Sequence, residues 1–297
     1  MHAPEPPTPP MLSKAQALDQ WMAADPWRPR VIPFFVWILA MFFGGFLTDL
    51  EPHLQPFWYT LQCVATVWLL WRVRKLVPEM NLRFHWTVVP SAVLLVVAWV
   101  WLGAVIGDLD VRPFGHGSST GTHPIQKLGD THPAWMWASM VLRLIGMALI
   151  VPVFEEVFIR SAMLRGLHRW RPTKTGLIQF ACDLPSLGDW AANTAAGKKA
   201  LAQPPAFTKQ LVETPLYKIT VFSVCASTAV FAISHVPRDW AGCVACGVVW
   251  CLMVWWTNRP SLPEAKRAGL GPVIWSHGLV NALLWGYTLY QGDWRFL

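Results

Sequence analysis

Three groups of polar residues recur at helical spacing inside otherwise apolar stretches of this chain. Glu156 and Arg160 stand four apart with Glu155 just before them, His235 closes the run Phe231-Ala-Ile-Ser-His235, and His277 and Asn281 are again four apart. One carboxylate, two imidazoles and a carboxamide suffice to hydrolyse a peptide bond with an activated water. Acid and imidazole polarise the water and carry its proton, while N–H donors stabilise the oxyanion that forms. On a helix Glu156 meets Arg160 with the carboxylate on the favourable N-terminal side. Glu155 sits roughly 100° further round, away from that pairing, and is the candidate base. With His235 it would activate the water, while His277 and Asn281 would serve the oxyanion. The plainer alternative is a structural polar network joining three helices.

Such groups need a protected setting, because each ionisable side chain at a bilayer centre costs about 2.5–3.5 kcal/mol on the insertion scale. Glu155, Glu156 and Arg160 must therefore face protein or a cavity. The setting itself is membranous. Of 297 residues, 54% are hydrophobic and only 14% charged, and 20 are Trp, against roughly 45–50% and 25% in a soluble domain. Apolar blocks at 31–47, 57–71, 88–106, 135 to about 164, 216–235, 240–257 and 272–290 are separated by Pro, Gly or charged residues. They predict an all-α, polytopic transmembrane helical bundle of about seven spans.

The formal charge of +7 has a topological explanation. With the N-terminus inside, eighteen of the 24 basic residues fall on the tail and the even-numbered loops, four on the opposite side, and Arg143 and Arg160 within a span. This positive-inside bias predicts a multi-pass protein with a cytoplasmic N-terminus and makes a nucleic-acid partner unnecessary. The bilayer is the partner.

Three regions follow. Residues 1–30 form a tail, proline-rich at Pro4, Pro6, Pro7, Pro9 and Pro10 and then helix-compatible; with no cleavable leader, the first apolar block is expected to act as an uncleaved anchor. Residues 31–134 supply three spans, and 135–297 the chemistry, interrupted by a cytoplasmic insertion at 172–215. The Gly- and His-rich stretch around Gly115, His116 and Gly117 lacks the ending of a phosphate loop, and His116, His123 and His132 lack ligand spacing. The six cysteines lie mostly in apolar runs; Cys243 and Cys246 make a lone C-x-x-C, read as helix packing.

Taken in order on successive apolar segments, Glu155-Glu156-x-x-x-Arg160, Phe231-x-x-x-His235 and His277-x-x-x-Asn281 resemble the motifs of the CAAX protease and bacteriocin-processing (CPBP, or Abi) family of intramembrane glutamic endopeptidases. The resemblance covers the C-terminal half. It implies that Glu155 and His235 activate the water, that His277 and Asn281 stabilise the oxyanion, and that Glu156, Arg160 and Phe231 support them. It also implies metal-free chemistry without a cofactor, on membrane-associated protein or peptide substrates. Val151-Pro152-Val153-Phe154-Glu155-Glu156, Ser161-x-x-Leu164-Arg165 and Gly292-Asp293-Trp294-Arg295-Phe296 look like the branch that accompanies bacterial exosortase and PEP-CTERM sorting, which implies the bacterial inner membrane. Ala232 and a single histidine at 235, where the commoner pattern has Gly and a His pair, depart from the family, as does the insertion.

Other readings stay open at this point. A zinc site built from Glu155, His235 and His277 would use a known ligand set, and a non-catalytic membrane scaffold could share the fold. A proton-relay transporter lacks evident inverted repeats. Zinc, aspartyl and serine motifs of other intramembrane proteases are missing.

Overall fold

Most of each apolar block is helical in the computed structural model, which describes residues 13–51, 54–106, 129, 132–184, 187–204 and 207–292. The proline run of the tail, the glycine-rich stretch with His116 and His123, and the closing 293–297 lie outside the described residues. Among the described residues there is no strand, and the chain has an all-α membrane fold.

Helix α1 (Lys14–Ala23) starts on a capping box in which Ser13 and Gln16 satisfy each other's backbone N–H groups. The long apolar helices follow: α2 (Arg28–Leu50), α3 (Gln55–Val73), α4 (Val88–Ile106) and α5 (Pro133–Gly166). Four short helices, α6 (Lys174–Cys182), α7 (Leu187–Asn193), α8 (Ala195–Leu201) and α9 (Phe207–Glu213), fold the 172–215 insertion into a compact unit. Thr173 and Thr194 cap two of them, and the buried Gln179 amide donates to Ala200 O and Gln203 O. Helices α10 (Val221–Ile233), α11 (Trp240–Asn258) and α12 (Gly271–Gln291) complete the chain.

About seven spans were expected. By length and apolar composition four segments can cross a membrane alone: Arg28–Leu47, Val88–Val105, Pro133–Gly166 and Pro237–Asn258. The bilayer face is plain from what is left uncovered. Phe35, Leu39, Phe42 and Phe46 on α2, and Val89, Val93, Val97 and Trp101 on α4, form exposed stripes at helical spacing. Such faces are too apolar for water and suit hydrocarbon.

Helix α5 is the axis of the bundle: α2, α3, α10 and α12 pack around it, while α4 closes over α11 and α12. Its turns are uneven. Two π-helical stretches, Gly146–Ile150 and Val157–Met163, flank the α-helical Val151–Glu156, and π-bulges of this kind are often found at functional sites. Aromatic rings from α2 fill the space beside it, with Phe34 stacked on Phe158 at 4.1 Å and Trp37 tilted against Phe154 at 5.1 Å. The second cation of this span, Arg143, lies over the Tyr59 ring at 5.9 Å.

At the end of the bundle where α5 finishes, Glu79 ties its own loop to α2, α5 and the start of α12. Glu79, between α3 and α4, accepts from Arg30 Nε (2.8 Å) and NH2 (3.1 Å), from Arg165 NH1 (2.8 Å) and from the Ser161 hydroxyl. Arg165 also donates to Thr214 O in the insertion (2.7 Å), and Glu79 O accepts from Leu270 N at the start of α12 (2.9 Å). Nearby, Asn258 grips Gly269 N and O at 2.8 and 2.9 Å, and Gly269 has a φ of 61°, a conformation that glycine adopts without steric cost. Arg30 of α2 and Arg165 of α5 thus converge on one carboxylate.

Burial alone would raise the Glu79 carboxyl, but the Arg30 hydrogen bond and charge, with Arg165 and Ser161, hold it below the usual carboxylate range. Its contribution to stability is therefore complete above the unfolded carboxylate range and is lost as pH falls through the lower folded value. Glu79→Ala leaves two arginines without their carboxylate and is expected to cost about 3–5 kcal/mol. Thermal unfolding in nanodiscs should show this loss at pH 7 and a smaller gap between variant and wild type in acid.

Candidate active site

Pro152 shapes the site before any catalytic side chain is considered. In the π stretch Val151 N–H bonds to Gly146 O, so the next donor in that register would be residue 152, which as proline has none. Met147 O is thereby left without either its α or its π partner along the helix. The Asn281 side chain supplies the missing donor from α12, with Nδ2 at 2.8 Å from Met147 O. Gly278, one turn earlier, lets α12 approach closely, since a Cβ there would run into Ala148 O.

Close packing of α5 and α12 drives the His277 ring between two carboxylates. Its Nδ1 lies 2.9 Å from Glu156 Oε1, and its Nε2 lies 3.6 Å from Glu155 Oε2. Glu155 stays outside the Glu156–Arg160 pairing, yet His277 brings it into the same cluster. Adjacent positions on α5 do diverge, but an imidazole carries a nitrogen on each side, and one ring inserted edge-on from a neighbouring helix addresses both. Glu156 remains the partner of Arg160, with Nε at 3.2 Å from Oε2, and both side chains are fully buried. The guanidinium lies over the rings of Phe231 (5.0 Å) and Trp250 (5.3 Å), where cation–π attraction adds to the ion pair.

His235 reaches the same place by a different route. Helix α10 has only 13 residues, roughly 20 Å at 1.5 Å per residue, so it ends inside the depth of a bilayer. The sequence reading ran this span from 216 to 235; the Thr220–Ser223 capping box starts it later, and it stops at Ile233 before Pro237. His235 follows in non-helical backbone that lines a cavity, the setting in which irregular chain is tolerated at membrane depth. Its Nδ1 is 2.8 Å from Phe231 O. A carbonyl can only accept, so Nδ1 carries the proton and Nε2 presents a lone pair.

Glu155, His235, His277 and Asn281 all line one cavity of about 250 Å³, with Trp99, Met147, Val151, Phe231, Trp250 and Leu284 as its apolar wall and Arg238 and Asp239 beside His235. Glu156 and Arg160 lie behind it. Phe231 supports two histidines at once, its ring 4.6 Å from that of His235 and 6.0 Å from that of His277. Trp250, stacked on His277, and Pro152 are the residues that spacing did not single out. Pro152 carried a signal, since proline within an apolar helix frees a carbonyl; Trp250 is one of 20 Trp and carried none. Among the described residues no three His, Cys, Asp or Glu side chains are grouped as a metal site would require.

Chemically, the cavity joins acceptors (Glu155, His235 Nε2) with donors (His277, Asn281) in an apolar enclosure, the complement needed to activate a water and stabilise an oxyanion. Removing Glu156 would strand Arg160 in the core, and Glu156→Ala is expected to destabilise by about 3–5 kcal/mol. Glu155→Gln, a near-isosteric change at the cavity wall, should shift stability by less than about 1 kcal/mol. Thermal unfolding of both variants in nanodiscs distinguishes the two carboxylates.

Residues 205–283 match the family model described as type II CAAX prenyl endopeptidase Rce1-like. The matched segment contains Phe231, His235, His277 and Asn281 but begins well after Glu155, Glu156 and Arg160, which lie outside it. No curated protein and no solved structure matches the chain.

Proposed function

We propose, on the match of residues 205–283 to the Rce1-like family model, that the chain is a glutamic intramembrane endopeptidase of the CAAX protease (CPBP) family. One observation carries the proposal: Glu155, His235, His277 and Asn281, from three separate parts of the sequence, line a single cavity. Water held between Glu155 and His235 Nε2 loses a proton to the Glu155 carboxylate as its oxygen adds to the scissile carbonyl carbon. The carbonyl π electrons move onto oxygen, and His277 Nε2–H with the second amide hydrogen of Asn281 stabilise the oxyanion. Collapse of the tetrahedral intermediate breaks the C–N bond, and the departing amine takes the proton from Glu155.

The substrates are membrane-associated proteins or peptides that reach the cavity within the bilayer. The resemblance of the Val151–Glu156 stretch to exosortase-associated proteins extends the proposal to sorting-signal-bearing substrates in a bacterial inner membrane. The charge bias supports a cytoplasmic N-terminus, and on that orientation the Glu79 end of the bundle faces the cytoplasm.

Glu155→Ala and His235→Ala should each lower turnover of a membrane-anchored reporter by about 10²-fold or more, with insertion and folding retained. Asn281→Ala should cost about 10²–10³-fold. The measurement is mass spectrometry of new termini in membranes from wild-type and variant cells. Full cleavage by either Glu155→Ala or His235→Ala would overturn the mechanism.

A further inference from the structure

The His277 ring is hydrogen-bonded to Glu156 at Nδ1 (2.9 Å) and faces Glu155 at Nε2 (3.6 Å), but a planar ring held only at its edge can still rock about the axis through those atoms. Trp250 closes that freedom. The indole lies flat on the imidazole, with centroids 4.4 Å apart and planes inclined by 25°, and is itself fully buried.

The indole is held in turn by a directed chain of hydrogen bonds across three helices. Trp250 Nε1 on α11 is 3.0 Å from Ser276 Oγ on α12, and indole nitrogen can only donate. Ser276 Oγ is 2.9 Å from Ser91 Oγ on α4, and Ser91 commits its own proton to Val88 O at 3.0 Å. Ser276 must therefore donate to Ser91. The chain runs one way, from Trp250 to Ser276 to Ser91 to the α4 backbone, and every proton in it is used.

We propose that Trp250 is a positioning residue for His277, and that the Ser276–Ser91 relay fixes its plane so that the imidazole meets the reacting carbonyl in one orientation. This rests on the assignment of His277 to the oxyanion. Ser276 sits beside His277 in sequence yet acts on it only through Trp250, a route across α11 that no linear motif contains. Misplacing a reacting group by about an ångström can cost as much as 10²-fold in rate, so the loss should fall on kcat.

The test uses the full chain in nanodiscs with a membrane-anchored reporter peptide. Ser276→Ala and Trp250→Phe each remove the hydrogen bond but keep a ring against His277, and each should lower kcat by about tenfold with KM within about twofold of wild type. Trp250→Leu, which removes the stack, should lower kcat by about 100-fold. The Ser276→Ala, Trp250→Phe double variant should be no slower than Trp250→Phe alone, because both changes break one bond. Wild-type kcat in both single variants, a loss confined to KM, or additive losses would overturn the proposal.

A second readout needs no activity. In 15N-histidine-labelled protein, with the His277 signal assigned through His277→Gln, the ring protons of His277 should move downfield in Trp250→Leu as the indole ring current is lost. An unmoved signal overturns the positioning role even if cleavage falls. A wild-type protein that cleaves nothing while this shift is present overturns the peptidase reading and leaves the Trp250–His277 clamp standing.

Discussion

A fully buried guanidinium is the constraint around which this bundle is arranged. Arg160 has no exposure, and its charge is met by Glu156 and by the faces of Phe231 and Trp250. A buried pair of this kind contributes little net stability compared with apolar packing, yet breaking it is costly. That asymmetry holds α5, α10 and α11 in one relative placement, because each contributes a group the guanidinium cannot lose. The same placement brings His277 onto Glu156, and through His277 the second carboxylate is drawn in.

Function and fold thus draw on the same atoms. Glu156 serves Arg160 with one oxygen and His277 with the other; Phe231 supports Arg160 with its ring and His235 with its carbonyl. Trp250 lies between Arg160 and His277. A site assembled this way is preorganised, since few of its side chains can move without opening an unsatisfied charge or carbonyl elsewhere. The π stretches of α5 belong to the same economy. By releasing Met147 O they create a bond that only Asn281 answers, which sets the sliding position of α12 against α5.

The Glu79 cluster fixes the opposite requirement, closure of the bundle at its basic end. Arg30, Arg165 and Ser161 reach it from α2 and α5, and Leu270 from the entry to α12. It also reaches the insertion, through Arg165 and Thr214 O. The 172–215 segment is therefore joined to the core by the same arginine that neutralises Glu79.

The amino-acid sequence by itself determined the environment and the elements. Apolar blocks cut by proline and charge can only be helices where water is absent, because each backbone N–H and C=O must find its partner within the segment. Spacing also revealed Glu156 with Arg160 and marked His235, His277 and Asn281 as polar groups in need of company, since i and i+4 periodicity is a local property. What the tertiary structure alone decided is who meets whom. That His277 bridges Glu155 and Glu156, that Asn281 answers Met147 O, that Glu79 joins three distant elements and that Trp250 clamps the imidazole all depend on the lateral order of helices. Contacts between helices far apart in the chain leave no period in it, so these pairings became visible only once the bundle had closed.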